Sequence, residues 1–223
     1  MRLKSFGCSF IYGTDLSDDG RGFLYATPSK LTWPSLVAQH LGYEYDCYAQ
    51  PGAGNLRILE RVLSQAACNE HNLYVIGWTW IDRFDYIGEA RGWNPLGWQT
   101  IMPVAESANS EFYYRNLHSQ FTDKLKTLTY MRLAIDTLKQ KGCEFIMTCQ
   151  DELIFETEWH TTPAVTDLQE YIKPYITRFD GQPFLDWSRA NNYEISDMHH
   201  PLEPAHRAGA DLVIGQLSSC IKC

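Results

Sequence analysis

Arg2-Leu3-Lys4-Ser5-Phe6-Gly7-Cys8-Ser9 is a short β-like run that ends in a Gly-Cys-Ser turn, and the rest of the chain repeats its logic. Trp33-Pro34-Ser35 opens a helical pattern through Leu36, Val37 and Leu41, with Gly42 placed to stop it. Residues 43–49 alternate as a strand does, and Pro51-Gly52-Ala53-Gly54 breaks the run. Asn55 is then positioned to cap a helix whose apolar face holds Leu56, Ile58, Leu59, Val62, Leu63 and Ala66. Residues 73–77 form a compact apolar stretch, the signature of a strand buried on both faces. A long helix is expected over 121–141 with Gly142 as its stop, then a strand over 143–149 and a helix over 164–176. A short edge strand is expected over 183–187 and a closing helix from 201 to about 217, where Pro201 is tolerated in the first turn. Strands alternating with helices predict a mostly parallel sheet with helices on both faces, in a three-layer α/β/α sandwich. Residues 80–114 lack a clear period and carry many aromatics, so they read as an insertion over the top of the sheet.

The chain has 223 residues, enough for one substantial α/β domain, and no internal repeat or low-complexity linker divides it. Its net charge of −8 and lack of a basic run argue against nucleic acid as partner, because a polyanion is bound by concentrated Lys and Arg. No stretch approaches the length of a membrane span. The first ten residues contain no signal-peptide core, so a cytoplasmic chain is expected, virus association being the alternative. Seven scattered cysteines, an odd number, suit free thiols in a reducing compartment. Cys220 and Cys223 form a CxxC pair, but a structural zinc ion needs four ligands and no second pair exists.

Ligands of open parallel sheets gather at the carboxyl ends of the strands. Four breaks fall there: Gly7-Cys8-Ser9, Pro51-Gly52-Ala53-Gly54-Asn55, Gly77-Trp78-Thr79-Trp80 and Asp197-Met198-His199-His200-Pro201. They offer a hydroxyl in a tight turn, amides at a helix start, and a carboxylate three residues from an imidazole. That is an inventory for acyl transfer, with Ser9 as nucleophile, His200 as base and Asp197 as the group that orients the base. His199 is the competing base. A metal reading of Asp197, His199, His200 and His206 is weaker, because adjacent histidines point apart and no His-Glu-x-x-His helix is present. The glycines at 52 and 54 match neither established phosphate-loop pattern.

These four blocks, in this order along nearly the whole chain, resemble those of the SGNH (GDSL-type) hydrolases. The resemblance implies one flavodoxin-like α/β/α domain over 1–223, with the aromatic insertion at about 80–118. It implies Ser9, His200 and Asp197 as a triad, and an oxyanion hole from the Ser9 amide and Gly52. Two positions depart from the family pattern. Cys8 stands where an Asp is usual, and Thr79 stands where the oxyanion-hole Asn would be, which leaves either Thr79 or Asn55 as the side-chain donor.

Aromatic side chains beside polar ones suit a sugar ring better than a lipid chain. Trp78, Trp80 and Arg83 are therefore the expected substrate-binding residues, with Trp93, Asn94, Trp98 and Asp82 in the same insertion. An ion pair between Asp82 and Arg83 is the competing role for those two. The expected activity is a cofactor-free serine esterase acting on a small-molecule or glycan ester, an O-acetylated carbohydrate being favoured. The alternatives are a catalytically weak glycan-binding or structural protein, and an acyltransferase using the same triad.

Overall fold

The computed structural model describes residues 1–18, 27–68, 71–89, 97–104 and 107–220, with the side chains of 218–220 excepted. In chain order the elements are β1 (Arg2–Phe6), α1 (Ser9–Tyr12), α2 (Trp33–Leu41), β2 (Glu44–Cys47), α3 (Asn55–Gln65), β3 (Leu73–Trp78), β4 (Phe84–Ile87) and β5 (Trp98–Ile101). There follow α4 (Ala108–Asn116), α5 (Gln120–Gln140), β6 (Glu144–Cys149), α6 (Pro163–Ile172), α7 (Phe184–Ala190) and α8 (Glu203–Cys220). The main sheet runs β2-β1-β3-β6, all parallel.

Each face of this sheet carries its own core. Phe6, Tyr74, Ile76 and Met147 point to one side, where they meet Ile58 and Val62 of α3, Leu128 and Ile135 of α5, and Val165 of α6. Leu3, Val75 and Ile146 point to the other, against Val37 of α2, Trp187 of α7 and Val213 of α8. The central strand β3 is buried at all six positions, which is why its sequence shows a continuous apolar run rather than alternation.

Two expectations are corrected. Residues 183–187 are not an edge strand: Pro183 is the N-cap of α7, and Phe184 and Trp187, one helical turn apart, pack beside Phe179 in the second core. Phe184, Leu185 and Trp187 fit either period, and burial of one helical face decides. Beyond β6 the sheet is extended, among the described residues, only by a bridge between Met147 and Ile176, closed by the Thr177 N–H donating to Met147 O at 2.7 Å. Nor is the insertion wholly irregular, since β4 and β5 form an antiparallel pair and Phe84 stacks on Tyr113 of α4 with centroids 4.5 Å apart.

The turn that carries Ser9 is seated by two glycines. A Cβ on Gly7 would lie 2.5 Å from Ile11 Cγ1, and one on Gly77 would lie 2.7 Å from the same atom. Glycine at the ends of β1 and β3 thus lets α1 settle onto the sheet, which places Ser9 above the carboxyl ends of the strands.

Candidate active site

Ser9 is the first residue of α1 and is 7% exposed. Its Oγ lies 2.9 Å from His200 Nε2, and the other ring nitrogen, Nδ1, lies 2.9 Å from Asp15 Oδ2. With the proton on Nδ1, the imidazole donates to Asp15 and its Nε2 accepts from the Ser9 hydroxyl. Ser196 Oγ donates to the same Asp15 oxygen and accepts from the His200 backbone N–H at 3.1 Å. Phe10 meets the His200 ring edge-on, with centroids 5.4 Å apart, and so restricts its tilt. Ser9, His200, Asp15 and Ser196 therefore form one hydrogen-bonded chain.

The carboxylate in it is not Asp197. Ile195 bridges Pro201, and the Ser196 N–H donates to His200 O at 2.9 Å, so residues 197–199 form the tip of a closed turn. Asp197 is exposed on that tip and does not line the cleft around Ser9. His199 is also exposed, in a left-handed conformation (φ 64°) at the cleft rim, while His200 holds the contact with Ser9. Asp15 stands two residues beyond Gly13, the left-handed C-cap of α1, and itself has φ 78°. Aspartate adopts that conformation more readily than most residues. The signal for it was an Asp six positions after the serine, in a polar loop that reads as a connector.

The expected oxyanion groups separate. Ser9 lines the cleft. Gly52 lies in the turn after β2, with φ 75°, and is not among the residues that line the cleft. Thr79 is fully buried and its hydroxyl has no hydrogen-bond partner among the described residues. Asn55 is 2% exposed; its amide donates to Thr79 O at 3.1 Å and Trp80 O at 3.3 Å, and its Oδ1 accepts from the Thr79 N–H at 2.9 Å. Asn55 is thus a strut under the loop leaving β3, neither a cap nor a group of the cleft wall. The cap of α3 is supplied by Asp85 of β4, whose carboxylate accepts from the Gly54 N–H at 3.0 Å and the Arg57 N–H at 2.9 Å. Burial raises the Asp85 pKa against the opposing effect of these hydrogen bonds and the Thr100 hydroxyl.

The cleft has a volume of about 690 Å³. Trp80 and Arg83 line it: Phe10 packs on the Trp80 ring at 5.6 Å, and the Arg83 guanidinium lies 5.0 Å from that ring while Nη1 donates to Ala53 O at 3.0 Å. Trp78, in contrast, is fully enclosed in the core, facing the opposite side of the sheet, and is not a substrate platform. Trp98 pairs with Ile87 in the hairpin and does not line the cleft. Trp93, Asn94 and Cys223 lie outside the described residues, as does the Cys220 side chain. Burial raises the Asp82 pKa, with Arg83 pulling the other way. Among the described residues no three His, Cys, Asp or Glu side chains converge as metal ligands. His206 is buried, and its Nδ1 accepts from the Trp33 N–H at 3.1 Å. No helix among the described residues is long and apolar enough to cross a membrane.

No protein-family model matches the chain, and no curated protein sequence does. Solved structures do. A carbohydrate esterase family 2 enzyme with a carbohydrate-binding domain, from Corynascus thermopiles (Myceliophthora fergusii), is similar over 100% of this chain and 67% of its own, at 13% identity and TM-score 0.56. A carbohydrate esterase whose active site displays divergent catalytic and non-catalytic binding functions is similar over 97% of this chain and 68% of its own, at 16% identity and TM-score 0.54. A lipolytic protein of the G-D-S-L family from Veillonella parvula is similar over 96% of this chain and 97% of its own, at 12% identity and TM-score 0.50. The chain has the three-layer α/β/α fold of the SGNH (GDSL-type) hydrolases.

Proposed function

We propose that this protein is a serine esterase in which Ser9 attacks, His200 moves the proton and Asp15 orients His200. The observation that carries the reading is the run of 2.9 Å contacts from Ser9 Oγ to His200 Nε2 and from His200 Nδ1 to Asp15. In the first half-reaction Ser9 Oγ bonds to the ester carbonyl carbon and its proton passes to His200 Nε2. The imidazolium that forms is stabilised by the Asp15 carboxylate. The tetrahedral intermediate collapses, the C–O bond to the alcohol breaks, and the alcohol leaves with the proton from Nε2. Water, deprotonated by His200, then releases the acid from Ser9. The Ser9 amide, which lines the cleft, is the proposed donor to the oxyanion, and Gly52 is the second donor that the resemblance implies. One missing oxyanion donor typically costs about 10²–10³ in rate, so with Thr79 enclosed and Asn55 committed a slow enzyme is expected.

The substrate we favour is an O-acylated carbohydrate or similar polar ester, supported by Trp80 and Arg83 at the cleft and by the carbohydrate esterases of the same fold. Free thiols at Cys8, Cys47, Cys68, Cys143 and Cys149 favour a reducing compartment. The test is hydrolysis of p-nitrophenyl acetate by wild type, Ser9→Ala and His200→Ala. Both variants are expected to lose activity by about 10³-fold or more; equal rates in all three would end the reading. A second reading, glycan binding with little turnover, is favoured by the enclosed Thr79 alone. It predicts carbohydrate binding without labelling of Ser9 by a fluorophosphonate.

A further inference from the structure

The cleft beside Ser9 contains a buried carboxamide that the proposed mechanism does not use. Gln150 follows β6 directly, lines the cleft with Ser9 and His200, and is 8% exposed. Its backbone is fixed by the N–H donating to Trp78 O at 3.1 Å. Its side chain is different: Oε1 is enclosed and takes no hydrogen bond among the described residues.

Its neighbours in that wall are committed. Arg83 donates to Ala53 O, and both Asp151 oxygens accept backbone N–H groups, from Ile81 and Leu153 at 2.9 and 3.0 Å. Glu152 accepts from Arg178, and Glu156 from the N–H groups of residues 158 and 159. A buried carbonyl without a partner opposes folding, and such groups in a folded protein call for a reason. An apolar side chain of similar size would fill the same place at no such cost.

We propose that Gln150 is a substrate-binding residue that selects esters bearing a free hydroxyl next to the acylated one. A carboxamide both donates and accepts, and a half-turn about its last bond exchanges the two. A hydroxyl is the substrate group that answers either orientation. An analogue lacking it would leave the buried amide unpaired, which is how such sites discriminate strongly. This assignment rests on the esterase reading for where the ester lies, and on the orphaned carboxamide for what it selects.

The experiment compares wild type with Gln150→Leu on two substrates: a methyl xyloside carrying one acetyl ester between free hydroxyls, and p-nitrophenyl acetate, which has no hydroxyl. Expected are a loss of tenfold or more in kcat/KM on the xyloside ester, carried mainly by KM, and a change within twofold on p-nitrophenyl acetate. The melting temperature of Gln150→Leu should equal or exceed that of wild type. An equal loss on both substrates, no loss on either, or a melting temperature several degrees lower would overturn the proposal. If wild type hydrolyses neither ester, the esterase reading fails by itself, and calorimetry with methyl xyloside decides this one. Binding lost in Gln150→Leu supports it; binding unchanged or absent in both overturns it.

Discussion

The two halves of the site are built differently. The half proposed to move the proton is a continuous chain, Ser9–His200–Asp15–Ser196, with its imidazole held edge-on by Phe10. In the half proposed to hold the oxyanion, the side chains at the expected positions are turned to structural work. Asn55 braces the loop after β3, Thr79 is enclosed, and the Gly54 amide is taken by Asp85. Ionic and hydrogen-bonded groups of one cleft can thus be complete for nucleophile activation and sparse for charge stabilisation. The insertion explains part of the difference, since Asp85 enters from β4 and ties the hairpin onto the start of α3.

The largest expected effect on the bracing half comes from Asn55→Ala. It removes the acceptor of the buried Thr79 N–H and the donor to two carbonyls, so a loss of about 2–3 kcal/mol is expected. Urea unfolding measures it, and a midpoint equal to that of wild type would return Asn55 to the free oxyanion donors.

A smaller effect concerns how the His200 loop is held, because α8, which follows it, carries His206. Burial pushes the His206 pKa from 6.5 down to about 3, and its neutral ring accepts from Trp33 at the start of α2. Between pH 6.5 and about 3 the unfolded chain binds that proton and the folded chain does not. The contribution is therefore complete above pH 6.5 and declines as pH falls through that window. One proton corresponds to about 1.4 kcal/mol per pH unit. The half-buried Asp82 and the buried Asp85, Asp123 and Asp151 have raised pKa values and pull the opposite way, so the comparison with His206→Gln isolates the histidine. Wild type is expected to lose stability more steeply than His206→Gln between about pH 6 and 4; parallel slopes would show that the ring is not held neutral.

Periodicity and turn residues made the sheet, most helices and the four strand-end breaks legible in the sequence. The contact between Ser9 and His200, the proposed nucleophile and base, was legible because Gly-Cys-Ser and His-Pro mark the ends of regular elements. Asp15 was not, for a physical reason: its contact with His200 spans 185 positions and depends on the left-handed turn after α1. Asp197 has the expected spacing, yet the turn from Ile195 to Pro201 carries it outward. Spacing located Asn55 and Thr79 at the right strand ends but not the direction of their side chains. Residues 183–187 misled because a Phe-Leu-Asp-Trp stretch satisfies two periods at once.

The central claim is that Asp15, not Asp197, completes the proton-moving half. Its most direct measurement is kcat/KM for Asp15→Asn and Asp197→Asn on the same ester. An Asn at 15 cannot stabilise the imidazolium, and a fall of about 10²–10⁴ is expected. Asp197→Asn should remain within about twofold, as an exposed surface change would. Loss of activity in Asp197→Asn with Asp15→Asn near wild type would contradict the account.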